Sequence, residues 1–140
     1  MDKTTIGYFM WEHVNSWPDK PVKQIALNAL PKKGLAMMLM QMSGTVIEKK
    51  DILGSFIGTW PFSMCVRIPG EDTDERLNAI QILHDFADWL QSAPFPALGP
   101  NRKAMKIAMV SLPSIDARWE DGSEDYQAVF GLQYRETRGK

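Results

Sequence analysis

One cysteine and two histidines leave this 140-residue chain with few reactive side chains. The lone Cys65 excludes an intramolecular disulfide framework and offers no multi-cysteine metal site, so a reducing compartment is expected. His13 and His84 lack HxxxH spacing and a cysteine partner, so neither marks a metal centre. The net charge is −1. No global basic field therefore favours nucleic acid or an anionic membrane. No apolar run approaches the roughly 18–20 residues that a membrane-spanning helix needs; Leu35–Met40 falls far short. The first residues lack a basic segment followed by an apolar one and a small-residue cleavage site, so no signal peptide is expected. Internal repeats and low-complexity tracts are also missing.

What is present is bulk. The chain is 44% hydrophobic and 24% charged, with five Trp, six Phe and nine Met. That suffices to bury a core, and residues 1–140 read as a single domain. Thr4 or Thr5 caps a helix over Thr4–Trp17, in which Ile6, Phe9, Met10, His13, Val14 and Trp17 recur at helical spacing before Pro18 ends it. Asp19–Lys33 reads as a polar connector with one helical turn at Ile25–Leu30. The sheet and a long helix then occupy residues 34–136, and 137–140 form a short polar tail.

Leu35–Met42 reads as a strand, Ser43-Gly44 as a turn, and Thr45–Lys49 as a strand returning antiparallel, with Lys49, Lys50 and Asp51 at a charged tip or edge. Ile52–Trp60 is a second run, its Gly54 and Gly58 suiting a twisted or bulged strand. Pro61 interrupts it, and Phe62–Ile68 then alternates as a half-buried strand. Pro69-Gly70 breaks the chain. Asp72 or Thr73 caps the strongest helix, Asp74–Gln91, whose apolar stripe is Leu77, Ile80, Leu83, His84, Ala87 and Leu90, widened by Phe86. Ser92–Arg102 is a proline-rich loop. Strands follow at Met105–Leu112, Ile115–Glu120 and Asp125–Arg135, the last with Tyr126, Ala128, Phe130, Leu132 and Tyr134 on one face. Strands grouped on both sides of one helix indicate an α+β fold: a mostly antiparallel sheet of two β-meanders packed against one long central helix, plus an N-terminal helix.

Each candidate for chemistry fails on spacing or partners. His84 beside Asp85 and His13 read as core or interface histidines. Cys65 has no histidine near it in sequence and reads as a small buried hydrophobe. In the acidic group Asp116, Glu120, Asp121, Glu124 and Asp125, an EF-hand register puts Arg118 at position 3 and Gln127 at position 12, where carboxylates are needed. The group reads instead as a hairpin tip around Asp121-Gly122, either a solvated turn or an electrostatic contact with a neighbouring subunit. Gly54–Gly58 is neither a P-loop nor a dinucleotide fingerprint. Lys20, Lys23, Lys32 and Lys33 are spread through a loop. Trp60 and Trp119 are the better candidates for interface tryptophans. No catalytic, metal or cofactor residue is assigned, and no cofactor is expected.

The segments PGEDTDERLNAIQILHDFADWL, FPALGPNRKAMKI and PSIDARWEDGSEDYQAVFGLQYRE resemble the tail-terminator or minor capsid proteins of tailed bacteriophages and prophages. The resemblance is strongest over Phe62–Glu136. It implies a non-enzymatic virion subunit, made in the host cytoplasm and located in the tail or neck. It also implies a homohexameric ring that caps the tail tube, stops its polymerisation and joins the head. Partners would be copies of itself, the tail-tube protein and the head–tail connector or adaptor. No membrane and no sequence-specific nucleic acid is involved, and the genome would pass through the ring. Ring contacts are expected at Lys49, Lys50, Arg67, Asp116, Arg118 and Glu120, with Asp121, Glu124 and Asp125 at the acidic tip. The alternatives are another neck ring such as a head–tail adaptor, a tail-tube subunit, or a small α+β ligand-binding domain or enzyme whose pocket joins His84 and Cys65.

Overall fold

A single strand of 13 residues, β4 (Phe56–Ile68), is the spine of the sheet. In the computed structural model of the chain, residues 5–28, 34–42, 46–52 and 54–137 are described, with backbone alone for 46–48. Before β4 come α1 (Ile6–Asn15), β1 (Ala26–Leu27), β2 (Ala36–Gln41) and β3 (Val46–Lys50). After it come α2 (Thr73–Ser92), β5 (Arg102–Arg118) and β6 (Glu124–Glu136). The strand order is β1-β2-β4-β6-β5, with β3 also on β4. The pairing is antiparallel except between β1 and β2. This is the α+β class that the sequence indicates. Thr4, Leu30, Pro31, Lys32, Lys33, the Ser43-Gly44 turn and residues 138–140 lie outside the described residues.

Four details differ from the sequence reading. First, β3 does not return against β2. Both pair with the same side of β4, β2 opposite Phe62–Arg67 and β3 opposite Phe56–Thr59. Second, β4 runs straight through Pro61. The Pro61 carbonyl accepts from Met42 N at 3.0 Å, and a strand residue in an antiparallel pair aims N and C=O to the same side. The missing N–H therefore faces the gap between β2 and β3, and the ladder to β6 loses nothing. Third, β5 is one 17-residue strand that carries Pro113. Its register shifts between Ser111 and Ser114, and an edge strand tolerates both the bulge and the proline. Glu120 lies in the turn beyond it.

Fourth, Ile25–Leu27 is extended and makes no helical turn, because its hydrogen bonds go elsewhere. The Asn15 side chain accepts from Ile25 N at 2.7 Å and donates to Ile25 O at 3.1 Å, and Trp11 Nε1 donates to the same oxygen at 2.7 Å. Asn28, at φ 57°, donates its N–H to Leu39 O. Local propensity cannot compete with four such hydrogen bonds.

Both helices cover one face of the sheet. Thr5 caps α1 by accepting from Tyr8 N. Asp72 caps α2 by accepting from Glu75 N at 2.8 Å, while Glu75 reaches back to Glu71 N. The buried stripe of α2 is Ala79, Ile82, Leu83, Phe86, Ala87 and Leu90. Leu77 is 60% exposed, so the helix is rotated away from the Leu77–Ile80–His84 side. Phe86 explains the rotation. Its ring meets Phe130 edge-on at 5.5 Å and Trp17 at 5.6 Å, and a large aromatic gains most from the centre of the contact. Phe62 stacks on both Phe130 and Trp60 at 5.3 Å. Tyr126, Ala128, Phe130, Leu132 and Tyr134 of β6 all face this core, as their alternation predicts.

Gly70 joins β4 to α2 at φ +77°, where a Cβ would stand 2.1 Å from the Gly122 carbonyl oxygen. Only glycine lets the α2 entry touch the β5–β6 turn. Gly70→Ala should destabilise the fold by roughly 2–4 kcal/mol through backbone strain and overpacking, read as a lower urea midpoint.

Candidate assembly surface

The β5–β6 turn is tightly built. Trp119 N donates to Ser123 O at 2.8 Å and Gly122 N to Trp119 O at 3.0 Å. Asp121 Oδ1 accepts from the Ser123 hydroxyl and amide at 2.6 and 2.9 Å. Those hydrogen bonds hold the Asp121 carboxyl below its ordinary value.

Glu124 and Asp125, the last two acids of the expected tip, are buried. Glu124 accepts from Arg76 Nε at 2.9 Å, Arg118 Nε at 2.8 Å and the Tyr126 hydroxyl at 3.1 Å. Burial pushes its carboxyl up, but these three donors outweigh burial and hold it below the ordinary value. Asp125 is gripped from both sides. Arg67 makes a bidentate pair with it at 2.7 and 2.9 Å, and Trp119 Nε1 donates to it at 3.0 Å. The Arg67 guanidinium also lies 5.5 Å from the centroid of the Trp119 ring.

The nine sequence-selected residues thus fall into two groups. Arg67, Arg118, Glu124 and Asp125 form internal ion pairs that hold the turn onto α2 and β4. Asp116, Glu120, Asp121, Lys49 and Lys50 are exposed. The three exposed acids sit at one end of the sheet, where β5 meets its turn. Lys49 and Lys50 sit at the other end, beside the Asp51–Ser55 turn.

Sequence reading missed three exposed apolar side chains on β5. Val110 is 72% exposed, Leu112 71% and Ile115 44%. Val110 lies beside Gly131 on the open face and Ile115 opposite Tyr126 on the covered face, because the bulges of β5 shift its register, which no sequence pattern reveals. Trp119 adds a half-exposed ring, although its Nε1 and ring face are engaged by Asp125 and Arg67. Trp60 does not, because it is buried against Phe62.

The chemical alternatives separate in space. Cys65 pairs beside Met64 and Val66 but points to the face of β4 away from the helices, whereas His84 lies half-buried on α2. No pocket can join the two. The Cys65 thiol is pushed up to about 12 by burial first, then by Asp125 and Asp116. His13 stacks on Trp89 at 5.1 Å, and burial pushes its pKa down. Among the described residues no three His, Cys, Asp or Glu side chains gather as a metal site, and no helix is long and apolar enough to cross a membrane. A cleft of about 550 Å³ between α1 and the segment leading into β1, the α1–β1 cleft, is lined by Trp11, Glu12, Lys20 and Lys23, among others.

Two outcomes follow. Native Cys65 should resist a thiol reagent at mildly alkaline pH and react fully in denaturant; rapid native reaction would contradict its burial. A carboxyl held low in the folded state stabilises above its unfolded pKa and loses that contribution as pH falls through the folded one. Stability of the native chain should therefore fall with acidification below the ordinary Glu value of 4.5. Glu124→Gln should lower stability near neutrality and flatten this acid limb, as read from urea midpoints across pH.

No family model matches the chain, and no curated protein matches it. Among solved structures, a chain in the virion of a native gene transfer agent particle is similar in fold, with a TM-score of 0.65. The similarity covers 93% of this chain and 97% of that one, at 11% sequence identity.

Proposed function

We propose that this chain is a structural subunit of a phage-like virion, a tail terminator that acts by shape and assembles as a ring on the end of the tail tube. The observation that carries this reading is the fold shared over nearly the whole of both chains with a component of a gene transfer agent virion. The tail-terminator resemblance of Phe62–Glu136 makes it specific. The exposed Val110, Leu112 and Ile115 on edge strand β5, near three exposed carboxylates, support it, since apolar side chains exposed along an open edge favour a protein contact. In this reading the ring stops polymerisation of the tube and offers its far face to the head connector. Contacts are heterologous, one patch meeting a different patch on the next copy. A hexameric ring in the tail or neck, enclosing a passage for the genome, is the assembly it entails.

The neighbour's name specifies a virion and no position within it, so a head–tail adaptor or a tail-tube subunit is the second reading. Deleting the gene in a particle-producing strain separates them under the electron microscope. Loss of a terminator should leave unjoined heads and tubes of uncontrolled length. Loss of an adaptor should leave tails of normal length, and loss of a tube subunit no tubes. Particles that form normally and never contain the protein would overturn both readings.

A further inference from the structure

Opposite edges of the sheet carry opposite charge at one end and like charge at the other. Partner by partner, one row crosses the sheet as Ala26, Met38, Cys65, Gln127 and Ser114. Its ends are the β1 edge and the outer edge of β5, at the same height. On the β1 side, Lys20 and Lys23 lie in the described segment that leads into β1. They line the α1–β1 cleft, two lysines against the single carboxylate of Glu12. The β5 side presents exposed Asp116, Glu120 and Asp121 beside Val110, Leu112 and Ile115. A second row runs Lys49, Ile57, Arg135 and Lys103, so lysines stand at both of its ends.

We propose that the outer edge of β5, from Val110 to Asp121, docks on the β1 edge and the adjoining α1–β1 cleft of a second copy of this chain. The inference rests on the virion-ring reading and names the surfaces that close the ring. Charge complementarity selects the pairing: acids of β5 face Lys20 and Lys23, and the apolar side chains between them are covered. Equal height across the Ala26–Ser114 row permits contact without an axial step, as a closed ring requires. Strand directions agree, since β1 runs opposite to β5. The bulges and Pro113 of β5 interrupt backbone pairing, so side chains carry the contact. At the other end Lys49 would meet Lys103, which repels; that end is left open for a different partner.

Ala26→Cys with Ser114→Cys in one chain tests the pairing directly, because buried Cys65 stays out of the exchange. Mild oxidation should give a ladder of covalent dimers, trimers and larger species. A mixture of the two single variants should stop at dimers. A second arm reverses charge. Lys20→Glu with Lys23→Glu, or Asp116→Lys with Glu120→Lys, should each abolish assembly while the thermal melt is retained, and the four changes combined should restore it. No ladder, or unimpaired assembly of both reversed variants, in a preparation whose native chain is oligomeric would overturn the docking pair and leave the virion reading standing. A native chain that is monomeric at every concentration and absent from purified particles would overturn both.

Discussion

The ladder between β4 and β6 is the constraint on which the rest of the structure depends. Every residue of β4 has a partner, from Phe56 opposite Glu136 to Ile68 opposite Glu124. Because side chains alternate, that register puts Phe62 against Phe130 on the covered face and Arg67 against Asp125 on the open face. A slip of one residue would exchange the faces, exposing the aromatic core and burying the charges. The helices gain a surface only after this pairing forms. Phe86 needs Phe130 beneath it, and the rotation of α2 follows from that need.

The same register brings two carboxylates to the end of the sheet where the chain also enters α2. A buried carboxylate without partners is costly. Glu124 has two guanidiniums and a phenol, and Asp125 has a guanidinium and an indole. Arg76 and Arg118 remain 39% and 65% exposed, so water screens much of their attraction. The network's main effect is therefore placement. It holds the β5–β6 turn against Gly70 and aims Asp116, Glu120 and Asp121 outward together.

The elements were legible where one local rule dominated. The alternation of Tyr126–Tyr134 identified the buried face of β6, and Asp72 with Glu75 marked the start of α2. Misreadings occurred where a distant partner overrode a local signal. Pro61 reads as a strand break until its missing donor is seen to face a gap. Ile25–Leu27 reads as a helical turn until Asn15 and Trp11 take its backbone. The acidic group reads as a free tip, yet Arg67 and Arg76 are 58 and 48 residues away from its buried members in sequence. No spacing rule connects such residues.

The sequence by itself determined the α+β class and one face of β6, and it narrowed each helix cap to two neighbouring residues. These depend on composition and on periods of two or three to four residues, which a chain carries before it folds. Tertiary structure decided which acids are exposed and which are bound, and how far the helical layer extends over β5. It also decided that Cys65 and His84 lie on opposite sides of the sheet. Those facts depend on strand order and register, which join residues far apart in the chain and gather exposed acids and apolar side chains on one edge strand.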